Sequence, residues 1–145
     1  MDKAQEEVGE KLIHIMENND YMQMLGMELI EVRLGYARGK MKCCRELSNP
    51  YGSMHGGSLY SLADVVSGTA ACVNGKFAST VSGSMNFIRP AMNTNYVYCE
   101  AKEVRTGTHL AVYDVTLVDD KDSVLETGCF TFFIMNEEVS KYHKE

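Results

Sequence analysis

One apolar helix followed by four long extended runs is the pattern that most limits how this chain can fold. Between Ser58 and Val73, Leu59, Leu62, Ala63, Val66, Ala70 and Val73 recur at helical spacing and make a single stripe. After Asn74-Gly75 come extended runs at about 78–90, 95–104, 108–118 and 123–135. In the third, Ala111, Tyr113, Val115 and Leu117 alternate onto one face. In the fourth, Val124, Phe130, Phe132 and Ile134 share another, and Asp119-Asp120-Lys121-Asp122 reads as the hairpin between the two. Two shorter extended pieces within 27–45, broken near Gly35, precede the helix, and Asn49 to Gly57 is a loop. A single helix with this many strands gives an α+β class: a mainly antiparallel sheet of five to six strands with one central helix. Several runs are apolar on both faces, which implies a second buried surface and hence an oligomer.

The 145 residues suit one domain. Residues 1–22 read as an N-terminal helical segment, 23–138 as the domain proper and 139–145 as a tail. In the first, Val8, Leu12, Ile15 and Met16 share a side, and Asn18, Asn19 and Asp20 end the helix. A net charge of −6 argues against a nucleic-acid-binding surface but leaves room for a small anion held by local cations. The five cysteines form no CxxC pair and lie mostly in apolar or alternating segments, as free thiols in a reducing compartment would. The first residues carry no basic and apolar signal pattern, and no run approaches the ~18 apolar residues of a membrane span. A cytoplasmic protein without membrane association is expected. His14, His109 and His143 stand in separate segments with no metal spacing, so no metal is expected.

Asp64 breaks the pattern of the apolar helix. An unpaired buried charge costs several kcal/mol, so this carboxylate has either a partner or a task. Its neighbours three and four residues away are Tyr60, Ser61, Ser67 and Gly68, with Ala71 beyond, a small polar face opposite the Leu/Val stripe. Gly68 costs roughly 1 kcal/mol in a helix interior, which implies close approach of another backbone or a ligand. At the other end, Gly56-Gly57 opens the helix, where free N–H groups suit an anion or a polarised carbonyl and no Cβ obstructs approach. Eight residues separate Gly56 from Asp64, about 12 Å along a helix. If both act on one carbonyl, the carboxylate must come from a second copy across a two-fold axis, with the small face admitting the second helix.

These residues resemble a known family. Asn49-x-x-Gly52-x-x-His55-Gly56-Gly57, then Leu62-Ala63-Asp64, then Ser84-Met85-Asn86-Phe87-Ile88-Arg89-Pro90-Ala91 are similar to the hotdog-fold acyl-CoA thioesterases, in particular the phenylacetate-pathway (PaaI-like) subgroup. The resemblance spans roughly residues 25 to 135 and rests on the combination, since His-Gly-Gly alone is weak. It implies a sheet wrapped around the central helix, homodimers that pair into homotetramers, and sites shared between subunits. It further implies that Gly56 offers its N–H to the thioester carbonyl and that Asp64 of the opposite subunit is base or nucleophile. Asn49 then orients substrate or water, Thr80 assists the water, and His55 has a positional role. Gly57 and Tyr60 would contact substrate, with Met85 and Phe87 as further pocket walls. Arg89, Arg105 and Lys102 are the candidates for the phosphates of coenzyme A, which enters as part of the substrate; no cofactor is needed. An oxyanion donor in such a site is worth roughly 10²–10³ in rate.

Two other readings compete. An α/β-hydrolase also uses an HGG-type loop, but this chain has no G-x-S-x-G. A non-catalytic acyl-CoA-binding or sensing protein on the same fold is the alternative from another class, and release of free thiol separates it from an enzyme.

Overall fold

A computed structural model describes residues 2–143. Two helices, α1 (Lys3–Glu17) and α2 (Asp20–Leu25), lead into β1 (Met27–Arg33) and β2 (Tyr36–Lys42). A 3-10 turn at Arg45–Leu47 and a loop carry the chain to α3 (Gly56–Ala71), followed by β3 (Lys76–Phe87), β4 (Tyr96–Thr106), β5 (Leu110–Val118) and β6 (Val124–Glu138). A second 3-10 turn spans Val139–Lys141.

The six strands form one antiparallel sheet in the order β1-β2-β4-β5-β6-β3. That order leaves β1 and β3 as edges, and α3 contacts all six strands. This is the hotdog fold. Its cause lies in the two periodicities. The stripe of α3 (Leu59, Leu62, Ala63, Val66, Ala70) is at most 2% exposed. It faces the inward residues Val97, Cys99 and Ala101 of β4 and Ala111, Tyr113, Val115 and Leu117 of β5, all buried. Each such large side chain contributes about 1.5–3 kcal/mol by leaving water.

Two expectations are corrected here. Val124 does not share the face of Phe130, Phe132 and Ile134. The pairing slips between Leu117 and Val118, which puts Val124 out of step and leaves it 43% exposed. Asn19 does not end a helix but starts one, because its Oδ1 accepts the Met22 N–H at 3.2 Å and caps α2. That second helix straddles position 22, and Met22 and Leu25 join the same core as α3. At the start of the expected tail, Val139 is buried and donates its N–H to Gly75 O at 2.8 Å. The last two residues of that tail lie outside the described residues.

Candidate active site

The helix α3 lies across β3 and β6 so that each turn meets a particular strand pair. A Cβ on Gly56 would stand 3.1 Å from Cε1 of Phe87, the residue paired with Glu126. Tyr60 packs on Phe130 with ring centroids 5.1 Å apart and lies beside Gly83, the residue paired with Phe130. Asp64 meets Thr80, and Gly68 meets Phe132. Helix positions 56, 60 and 64 thus fall over strand positions 87, 83 and 80, and α3 runs opposite to β3.

The question raised by Asp64 has a local answer. Its carboxylate is half-buried, and Thr80 Oγ1 donates to Oδ1 at 2.7 Å. The neighbouring serines are committed elsewhere. Ser61 donates to Gly57 O and pairs with Tyr21 Oη, whereas Ser67 is fully buried and donates to Ala63 O at 2.6 Å. Among the described residues the carboxylate has no ion-pair partner.

The small face of α3 is partly used by this chain's own sheet. A Cβ at Gly68 would come within 3.2 Å of the Phe132 ring, so glycine there accommodates this chain's own sheet. Ser67 and Ala71 are buried by the same packing. Tyr60, Ser61, Asp64 and Gly68 remain half-buried on this face.

At the N-terminus of α3, His55 is the cap. Its Nδ1 accepts the Gly57 N–H at 3.0 Å, which places the ring proton of the neutral imidazole on Nε2. Ser58 and Leu59 N–H groups go to His55 O. The first-turn N–H without a hydrogen-bond partner among the described residues is that of Gly56, a half-buried donor at the positive end of the helix.

Asn49 is occupied with its own loop. Its Nδ2 donates to Ser53 Oγ at 2.7 Å, and its Oδ1 accepts from the N–H groups of Tyr51 and Ser53. Both lone pairs of the amide oxygen are thereby used. The loop in turn bonds to the cap residue, with His55 N–H donating to Leu47 O at 2.8 Å.

The candidate cations do not converge. Arg89 is exposed just beyond β3, at the Gly56 end, with its backbone N–H on Leu125 O. Arg105 is exposed on β4, three strands from β3, and pairs with Val112 toward the opposite end of the sheet. At about 4.8 Å per strand that is ~14 Å, so Arg105 belongs to another region. Lys102 is tied to Glu100 at 3.1 Å.

One residue of interest gives a weaker signal in the sequence. Glu126 on β6 is 1% exposed, and its Oε2 is enclosed without a hydrogen-bond partner. Burial pushes its carboxyl up from 4.5 to about 7. The signal is its even spacing from Phe130, Phe132 and Ile134, which puts a charged residue at an inward position.

Fold and family match together define a hydrolase class. Residues 51–126, more than half of the chain, match the thioesterase superfamily, and the chain belongs to that family. The acyl-coenzyme A thioesterase PaaI of Escherichia coli K12 is 28% identical over 113 residues, covering 77% of this chain and 81% of the relative. The structure of the E. coli PaaI protein from the phenylacetic acid degradation operon superposes with a TM-score of 0.88 at 22% identity, covering 94% of this chain and 99% of that one. A variant of the phenylacetic acid degradation protein PaaI from Thermus thermophilus gives 0.76 at 26% identity, covering 81% and 100%. Among the described residues no helix is long and apolar enough to cross a membrane.

Proposed function

We propose that the chain hydrolyses the thioester of a small or medium acyl- or aryl-CoA to the free acid and coenzyme A. The observation that carries this is the pairing of two reactive features on one helix. An unpartnered Gly56 N–H stands at its tip, and a Thr80-bound carboxylate stands at Asp64. The eight residues between them span about 12 Å, too far for one chain to bring both to one carbonyl.

The complete site is therefore composite, in a homodimer. Support comes from β3, a twelve-residue edge strand paired on one side only. Val81 on this strand is 59% exposed, and at its end Phe87 and Ile88 are 58% and 61% exposed. Such an edge is a ready template for a second strand. Pairing of β3 with its own copy about a two-fold axis near Gly83 brings residue 80 of one subunit opposite residues 85–87 of the other. Because α3 runs opposite to β3, Asp64 of one subunit then meets Gly56 of its partner. On the outer face, Leu110 and Phe133 are register neighbours, 47% and 48% exposed, and support a second contact that pairs dimers into a tetramer.

In this reading Gly56 N–H donates to the thioester oxygen and stabilises the charge that grows on it. Asp64 of the opposite subunit activates water or attacks the carbonyl carbon, and the thiolate leaves without a strong general acid. Thr80 fixes one carboxylate oxygen and leaves the other for water. His55 and Asn49 act by position: the first holds the Gly57 N–H, and the second holds the loop that carries His55. Tyr60, Met85 and Phe87 wall the acyl pocket, and Gly57 and Arg89 meet the coenzyme A portion. No cofactor takes part, and the site of action is the cytoplasm.

The test is release of free thiol from a panel of acyl-CoAs, followed with a thiol-reactive dye. Asp64→Asn keeps the shape and removes the base, so turnover falls by at least ~10² while dimer and fold persist. Equal rates in both proteins, or no thiol release at all, would leave the non-catalytic acyl-CoA-binding reading in its place.

A further inference from the structure

We infer that Glu126 is a proton-controlled positioning residue beneath the N-terminus of α3. When neutral, it leaves the Gly56 N–H to a substrate carbonyl; when ionised, it opposes negative charge there. The geometry is a short relay. Glu126 pairs with Phe87 on β3 and with Leu117 on β5, so its side chain shares the inner face with both. The Phe87 ring in turn lies against Gly56, at the tip of the sixteen-residue helix. Glu126 is 1% exposed with Oε2 unpartnered, and its register neighbours on both flanking strands are apolar.

The groups facing it offer no competing charge. On β3 and β5 the neighbours are Phe87 and Leu117. On β4 the nearest titratable group is Cys99, fully buried, whose thiol is pushed far above its ordinary range by burial first and by Glu126 second. Glu100, next to it, accepts a hydrogen bond from Tyr36. On α3 the N-terminus presents the capping His55, with Asp64 two turns further along and bound to Thr80. Arg89 is exposed beyond Phe87 and ties its backbone N–H to Leu125 O.

An ionised Glu126 therefore has one favourable direction, toward the partial positive charge and free N–H at the tip of α3. The same features would stabilise the oxygen of a thioester in its transition state, so the two negative charges compete. Burial holds the proton on Glu126 up to about pH 7, which sets the competition near neutrality.

The consequence for turnover rests on the thioesterase reading, whereas the coupling of Glu126 to Gly56 does not. Nuclear magnetic resonance tests the coupling directly. The Glu126 carboxyl carbon and the Gly56 amide are followed from about pH 5 to about pH 9 in the unmodified protein, and the amide also in Glu126→Gln. Glu126 titrates near neutrality, and the part of the Gly56 displacement that follows its midpoint disappears in the variant. Coincident Gly56 curves in the two proteins overturn the inference, as does a carboxyl that titrates at its ordinary value. In the thiol-release assay, kcat of the unmodified enzyme falls about tenfold as Glu126 ionises, while Glu126→Gln holds its rate within about twofold. A variant that keeps the same decline also overturns it. If neither protein releases thiol at any pH, the thioesterase reading fails, and the Gly56 curves still decide the role of Glu126.

Discussion

Asp64, in the middle of α3, and Glu126, on β6 near the strand position that meets the tip of α3, solve opposite problems. Asp64 is half-buried and has a hydroxyl donor at 2.7 Å, so one oxygen is held and the other remains free. Glu126 is buried between Phe87 and Leu117 with an oxygen that nothing answers, and its carboxyl holds its proton to about pH 7. The difference is one of strand position. Thr80 stands on the open edge β3, where water reaches, whereas β6 is covered on both sides by β5 and β3. An edge strand leaves a carboxylate within reach of water, and an interior strand turns one into a neutral group that responds to pH.

The largest expected effect removes what both ends share. Phe130 is fully buried, carries Tyr60 on its face and stacks on Phe132 at 6.3 Å. Phe130→Ala should cost about 3–5 kcal/mol in a denaturant titration and loosen the helix over both carboxylates. A loss below about 1 kcal/mol would show that the two ends are independent.

Next comes the pH dependence of stability. Glu126 holds its proton in the folded state between 4.5 and about 7, where the unfolded chain has already released it. Folding stability therefore falls as pH rises through this window and stays low above it. The shift corresponds to about 3 kcal/mol. Urea unfolding at pH values on either side of the window should show that loss in the unmodified protein, and Glu126→Gln should lack this part of it. The smallest effect is expected at Thr80, which is exposed. Thr80→Val should change stability by less than about 0.5 kcal/mol yet lower turnover up to about tenfold, by freeing the Asp64 carboxylate to rotate. Unchanged turnover would mean that Thr80 merely decorates the edge.

Much of this is legible in the order of the residues alone. The stripe from Leu59 to Ala70 and the alternation of Ala111 to Leu117 are local periodicities, and both elements form where they predict. Gly35 does turn β1 into β2, at φ 74°. The errors fall where a partner outside the segment decides. Val124 slips because β5 pairs irregularly with it. Asn19 looks like an end because a capping residue reads the same from either side until the following turn is seen. At Gly68 the close neighbour within the chain is Phe132, from a strand distant in sequence.

The residue order alone set out the long helix and the six strands, and it put a carboxylate and a helix tip on one element, because these follow from spacing along the chain. What the tertiary structure decided was company. It gave Thr80 to Asp64, enclosed Asn49 in its loop, set Arg105 far from Arg89 and left Glu126 unanswered. Strand order brings residues together across a sheet, and no local pattern records which strands will be neighbours.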